Sequence, residues 1–246
     1  MKNTAAQSHA MPASAAVFGA SGGIGAAMVT QLEEQGCRAI YAGSRQGVAV
    51  GSAIPFAFDL SDEASIASAA EMMRDNPPEL VFVASGILTL DTGAGPERSY
   101  KRLDPEVMAQ VLALNTIGPA LIAKHMLPMF ARDRRSVFAA LSARVGSISD
   151  NGLGGWHSYR ASKAALNMLL KNCAIELGRT HPEAIVLGLH PGTVDSALSK
   201  PFQKGLPEGQ LFTPEKSASA LLNVIAGLTP DHSGRVFDWK GEEIGP

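Results

Sequence analysis

Charge of either sign is scarce in this chain, and so are cysteine and aromatic side chains. Charged residues make up 18% of its 246 positions and leave a formal net charge of −2. A balance so near zero gives no electrostatic reason to expect nucleic acid or an anionic membrane as a partner. Cysteine occurs twice, as Cys37 and Cys173. Their spacing fits neither a metal site nor a disulfide framework, and both stand among apolar neighbours, as reduced core thiols do. No apolar run approaches the ~20 residues that span a bilayer. Residues 1–14 carry one lysine and no apolar core segment, so they read as a flexible tail rather than a secretory signal. The expectation is a soluble, cytoplasmic protein. Hydrophobic residues supply 46% of the chain, enough for a large core. The length suits one α/β domain over 15–246, with no internal repeat or linker.

Apolar runs alternate with helical patterns throughout. Strands are predicted at 15–18, 38–42, 54–58, 80–84, 135–141, 184–189 and 236–239, about seven in all. Helices are predicted between them, at 26–35, 63–74, 104–129, 158–178 and 213–228. Asp104-Pro105-Glu106 and Thr213-Pro214-Glu215 supply a cap and an early proline, and Ser61 or Asp62 can cap the second helix. Gly118 and Pro119 should bend the third. Such alternation predicts a doubly wound parallel sheet with helices on both faces, and ligands that bind beyond the carboxyl ends of its strands. The loops at 87–103 and 193–212 fall at those ends and should shape a substrate pocket. Residues 199–212, with Pro, Gly and Lys, read as a mobile segment.

The first strand runs into Gly19-Ala20-Ser21-Gly22-Gly23-Ile24-Gly25 and then a helix. A helix N-terminus offers free N–H groups to a pyrophosphate, and glycines let the backbone approach it. An ordinary glycine turn is the bland alternative, but the strand-before, helix-after context favours nucleotide binding. The second strand ends Gly43-Ser44-Arg45 with no acid to hold ribose hydroxyls, and a guanidinium suits a 2′-phosphate. NADP(H) is therefore favoured, with NAD(H) the alternative. Asp59 could accept from an adenine amino group or simply close a turn on its own backbone. Asn115, inside an apolar helix, could satisfy a carbonyl freed near Pro119 or hold a water beneath an active site. Tyr159 and Lys163 stand four apart and share a helix face. A lysine ammonium beside a phenol favours the phenolate and lowers its pKa. Such a tyrosine can exchange a proton with a carbonyl or an alcohol. Alone, Tyr-x-x-x-Lys is more often a surface pair; its place beyond the strand ends, with the other motifs, reverses that. Trp156 and His157, just before Tyr159, are candidates to line the pocket or to pack a loop.

Together these motifs resemble the short-chain dehydrogenase/reductase family over 15–239. The carrying residues are Gly19-x-x-x-Gly23-Ile24-Gly25, Asp59-Leu60-Ser61-Asp62, Asn115, Tyr159-x-x-x-Lys163 and Pro191-Gly192-Thr193-Val194-Asp195-Ser196. Residues 142–170 are most similar to the C-factor-like and carbonyl-reductase-like branch. The resemblance implies a Rossmann-type fold and hydride transfer between a nicotinamide cofactor and a carbonyl or secondary alcohol. Tyr159 is then the acid/base, and Lys163 lowers its pKa and touches the nicotinamide ribose. Asn115 holds a relay water, and a serine after the fifth strand orients the carbonyl. Cofactor contacts are implied for Gly19, Ser21, Gly22, Gly23, Ile24, Gly25, Ser44, Arg45, Asp59, Leu60, Ala84, Ser85, Gly86, Lys163, Pro191, Gly192 and Thr193. A homodimer or homotetramer is implied as well.

Three departures stand out. Phe18 replaces the family's Thr before the first glycine, and Val83-Ala84-Ser85-Gly86 replaces Asn-Asn-Ala-Gly. The serine expected three residues before Gly146 is Ala143, which leaves Ser142, one residue early, as the favoured candidate and Ser147 as the second. These departures keep open a second reading, a nucleotide-binding regulatory or signalling protein with little catalysis.

Overall fold

The computed structural model describes residues 11–196, 198–200, 203 and 209–246. The tail expected at 1–14 lies outside these residues as far as position 10. Ala13 is already tied down, its amide donating to Glu79 Oε2 at 2.7 Å.

Eight strands form one sheet in the order β10-β9-β6-β5-β4-β1-β2-β3. They are β1 (Ser14–Phe18), β2 (Ala39–Ser44), β3 (Ile54–Ala57), β4 (Leu80–Val83), β5 (Ser136–Leu141), β6 (Ala184–His190), β9 (Val236–Asp238) and β10 (Glu243–Ile244). All neighbours are parallel except β9 and β10, which pair antiparallel. The helices are α1 (Gly23–Glu34), α2 (Glu63–Met72), α3 (Pro105–Leu112), α4 (Gly118–Met126), α5 (His157–Gly178) and α6 (Pro214–Gly227). Strand side chains alternate between faces. Ala15 and Val17 of β1 join a core with Met28 and Leu32 of α1 and Leu221 of α6. Ala16 and Phe18 join the opposite core, with Ile66 of α2, Ile122 of α4 and Leu166 of α5.

The expected caps form. Asp62 accepts from Ala64 N, Asp104 from Glu106 and Val107 N, and Thr213 from Lys216 N. Some expectations need correction. The sheet has an eighth, antiparallel edge strand of two residues, too short to carry an alternating pattern. Part of the segment expected to be mobile lies outside the described residues, but its end is ordered. Leu211–Phe212 is strand β8, paired in parallel with β7 (Thr193–Val194). The helix at 105–129 departs from regular α geometry just before Gly118-Pro119. It widens over Ala113–Ile117 into a π-type turn while keeping right-handed helical dihedrals at both flanks. Pro119 has no N–H for the carbonyl four residues back, that of Asn115, and a widened turn absorbs that loss. Gly118 packs inside the domain, since a Cβ there would lie 2.7 Å from Leu60 Cδ2.

This helical stretch also corrects the search for a membrane-length run. It runs 25 residues, Pro105–Met129, and its most apolar 18-residue window has a mean hydropathy of 1.4, the length and apolarity of a membrane span. Several of its polar groups are matched within the domain. Thr116 Oγ1 donates to Ser162 O of α5, and Lys124 and His125 bond Glu63 of α2. It packs against α2 and α5 and carries scattered polar residues, which is why no uninterrupted apolar run marked it.

Candidate active site

Strand order reverses between β1 and β4, and the crevice of a doubly wound sheet lies at the carboxyl end of that seam. The Gly19–Gly25 turn stands there. Gly19 adopts φ +97°, and a Cβ on it would lie 2.7 Å from Ser85 Oγ. A Cβ on Gly25 would fall 2.1 Å from Gly19 O, so only glycine lets α1 start this close to the strand end. Gly22 at the helix N-cap brings no side-chain cap, and Ser21, Gly22 and Gly23 are exposed. An uncapped helix N-terminus in a glycine cradle has the shape and polarity that a pyrophosphate needs. Ile24, by contrast, packs against the core of the α1 face.

The altered strand ends are explained by packing. Phe18 is fully buried and meets the rings of Phe56 and Phe58 edge-on, each at 5.0 Å. Gly43 makes room, because a Cβ there would lie 2.3 Å from the Phe56 ring. An aromatic floor thus stands beside β4, with Val83 the register partner of Phe18. Ala84 N donates to Phe18 O at 2.8 Å, and Ser85 Oγ to the same carbonyl at 3.3 Å. At the end of β2, Ser44 is buried and Arg45 exposed. Asp59 takes the turn role: its Oδ1 accepts from Ser61 N at 2.8 Å and Ser61 Oγ at 2.5 Å. Those bonds, helped by Arg45, hold its carboxyl below the ordinary range. Leu60 packs on Gly118. On the far side Gly192 adopts φ +79° against Phe212 and Trp239, Pro191 O accepts from Ser217 Oγ, and Thr193 opens β7.

Helix α5 brings Tyr159 and Lys163 to this end of the sheet. Lys163 Nζ lies 5.8 Å from the Tyr159 ring centre and donates to Leu141 O at 2.9 Å. The turn after β5 lies tight on the helix, since a Cβ on Gly146 would sit 2.8 Å from Lys163 Cβ. Asn115, fully buried in the widened turn, accepts from Ile87 N at 2.7 Å and donates to Ile87 O at 2.8 Å and Ser162 Oγ at 3.1 Å. Its amide therefore ties the chain after β4 to α5 and does not reach back to the freed carbonyl. A Cβ on Gly86 would come within 3.1 Å of Asn115 Oδ1 and 3.4 Å of Lys163 Nζ. Gly86, Asn115 and Lys163 thus meet around one small space.

Burial dominates the electrostatics of both side chains. Burial pushes the phenol up to about 12 and pulls the Lys163 ammonium down to about 8. Low-polarity surroundings disfavour both charged forms, and at 5.8 Å the pair does not offset that.

The serine assignments fare differently. Ser142 is buried, and its Oγ donates its one proton to Asn167 Oδ1 at 2.6 Å. Ser147, also buried, accepts from Asp150 N and bonds Ser149 Oγ and Pro246 O. Both hydroxyls serve the loop and helix framework. The residue three before Gly146 is Ala143, with no hydroxyl to offer.

Trp156, a candidate from the sequence, is placed at the helix start, and Glu97 was not read from the sequence at all. Trp156 sits at the α5 N-cap with φ 52° and meets the Tyr159 ring edge-on at 6.3 Å. Glu97, from the loop after β4, accepts from the Ser158 amide at 3.1 Å and from the Ser158 hydroxyl. A signal for Glu97 existed: α5 has neither a capping side chain at its start nor an acid in its first turn, so an acceptor had to come from elsewhere.

A family model described as short chain dehydrogenase matches residues 13–206. C-signal of Myxococcus xanthus is 38% identical over 138 residues, covering 56% of this chain and 77% of that protein. The 1-hydroxy-2-glutathionyl-2-methyl-3-butene dehydrogenase of Rhodococcus sp. (strain AD45) is 32% identical over 224 residues, covering 89% and 93%. Among solved structures, the NADPH-bound carbonyl reductase from chicken fatty liver aligns with a TM-score of 0.80 at 23% identity, covering 98% of this chain and 96% of that one, which is a likeness of fold.

Proposed function

This chain belongs to the short-chain dehydrogenase family, as a nicotinamide-dependent oxidoreductase, and from that membership we propose that it reduces a carbonyl to a secondary alcohol with NADPH. The observation that carries the reading is the grouping of Tyr159, Lys163, Asn115 and Gly86 beyond the strand ends, with the Lys163 nitrogen 5.8 Å from the phenol ring.

The residues fit a dinucleotide. The Gly19–Gly25 cradle would take the pyrophosphate, and exposed Arg45 beside Ser44 would pair with a 2′-phosphate. Asp59 and Leu60 would border the adenine, and Ala84, Ser85 and Gly86 the ribose beyond it. Pro191, Gly192 and Thr193 would border the carboxamide. Lys163 spends one of its three donors on Leu141 O and keeps others for ribose hydroxyls. When bound, the reduced nicotinamide supplies the hydride to the carbonyl carbon.

The chain supplies the proton. Tyr159, with its pKa raised by burial, is a neutral phenol at pH 7 and can give its proton to the carbonyl oxygen. Lys163 then faces a developing phenolate and stabilises it, and its own lowered pKa leaves it able to pass a proton on. Asn115 would hold the relay water in the space it shares with Lys163 and Gly86. No carbonyl-orienting hydroxyl is supplied by Ser142 in its present bonding. A regulatory nucleotide binder would have little use for these grouped proton-handling residues, which weighs against the alternative.

The experiment is NADPH oxidation across a panel of ketones, with calorimetric binding of NADPH and NADH alongside. Tyr159→Phe should lower turnover about 10²–10⁴-fold while NADPH still binds. Arg45→Ala should weaken NADPH about 10–100-fold and leave NADH unchanged, the worth of a charge-assisted hydrogen bond. Wild-type turnover in Tyr159→Phe would refute the acid, and equal NADPH affinity in Arg45→Ala the cofactor choice. The outward faces of α3 and α5 are proposed as the surface of a homo-oligomer.

A further inference from the structure

The loop after β4 carries one buried carboxylate that hydride and proton transfer do not use. Glu97 is 6% exposed. One carboxylate oxygen accepts from the Ser158 amide at 3.1 Å and the other from the Ser158 hydroxyl, and its main-chain carbonyl accepts from the Trp156 amide. The residues it grips immediately precede Tyr159.

Helix α5 cannot hold its own start. Gly154, Gly155 and Trp156 run consecutively at φ 62°, 67° and 52°. Trp156, at the N-cap, lacks a side-chain oxygen, and the first turn holds no acid. Helix N-termini leave amides unsatisfied and favour negative charge. Burial alone would raise the Glu97 pKa, but the bonds from Ser158 bring it below the ordinary carboxyl value, so the cap is an anion. Arg160 braces the same turn, donating to Gly155 O at 3.1 Å and Val145 O at 3.3 Å. The Trp156 ring stands edge-on to Tyr159.

We propose that Glu97 is a positioning residue for the reaction. It caps α5 from the substrate loop and so places the Tyr159 phenol, and the Trp156 ring beside it, only when that loop is seated. The proposal rests on Tyr159 being the acid. It links the loop that shapes the substrate pocket to the group that completes the reduction.

The test uses Glu97→Gln, Ser158→Ala and the double variant in the full chain. Steady-state kinetics, NADPH titration and amide hydrogen exchange over 155–163 are the readouts. Small misplacements of an acid cost rate steeply, so each single variant should lose about 10–100-fold in kcat with NADPH affinity unchanged. Exchange should quicken only around the first turn of α5. Both changes break one linkage, so the double variant should be no slower than the slower single variant. Wild-type kcat in Glu97→Gln, losses that multiply in the double variant, or NADPH affinity and melting temperature falling together with kcat would each overturn the proposal. If the wild type reduces no carbonyl, or Tyr159→Phe is fully active, the functional reading fails instead. Hydrogen exchange then still decides whether Glu97 holds the helix start.

Discussion

Ser142 and Ala143 are neighbours on an extended strand end, so their side chains leave the backbone on opposite sides. Ser142 points under α5 and bonds Asn167, which stands on the same helix face as Lys163, one turn further on. Ala143 holds the position three before Gly146 with extended dihedrals, φ −149° and ψ 146°. Swapping hydroxyls between these two positions should therefore have unlike effects. Ala143→Ser should raise kcat/KM about tenfold by adding one donor to the carbonyl oxygen. Ser142→Ala should leave kcat/KM nearly unchanged and cost about 1 kcal/mol in denaturant unfolding, the worth of a buried hydrogen bond. A large loss of kcat/KM in Ser142→Ala, with no gain in Ala143→Ser, would return the orienting role to Ser142. At this scale the sequence revealed which residue types were present and their spacing. It did not reveal which neighbour claims a hydroxyl's proton, because Asn167 meets Ser142 only through the fold.

Helix α5 has a working face and a free face. Tyr159, Lys163 and Asn167 recur every four residues toward the strand ends, while Met168 and Ile175, seven apart, are 62% and 50% exposed on the other side. Ile117, on the widened turn packed against α5, is 53% exposed. This exposed apolar stripe is the surface proposed above for a second copy of the chain. Met168→Glu with Ile175→Glu should yield a monomer by light scattering while NADPH still binds; a wild type that is already monomeric would end the proposal. The elements that could be read beforehand were those with long, regular patterns. β1 and α1 declared themselves through an apolar run, glycines and a helical stretch, and α5 through twenty residues without Gly or Pro. Elements of two residues, such as β7, β8 and β10, have no period to read. The widened turn at Asn115 was not legible, because Gly118-Pro119 announces only that a regular helix must yield there.

The whole molecule gathers buried ionisable groups at the carboxyl end of its sheet, and this ties its stability to pH. His190 ends β6 beside β9, with Nδ1 buried and without a hydrogen-bond partner. Burial chiefly, and then Arg144, pulls its pKa from 6.5 down to about 4, against an opposing pull from Asp238. Arg144 is itself held by Asp238 at 3.1 Å and Asp150 at 3.2 Å. The folded pKa lies below the unfolded one, so the unfolded chain binds more protons between the two. The contribution is fully present above pH 6.5 and is lost as pH falls through 4, at most about 3 kcal/mol by proton linkage. Asp59 and Glu97, whose folded pKa values are also lowered, lose stability in the same direction as pH falls. Urea unfolding at intervals from pH 7.5 to 4.5 should show wild-type stability level down to about pH 6.5 and declining below it. His190→Asn cannot titrate, so it should flatten the upper part of that decline, between pH 6.5 and 5, and leave the lower part to the carboxyls. Parallel curves for the two proteins would mean that His190 takes up its proton without cost, with water reaching Nδ1 at the strand end. A flatter curve for the variant would make the packing of the sheet's carboxyl edge, where the reaction is proposed to occur, also the part of the molecule that acid opens first.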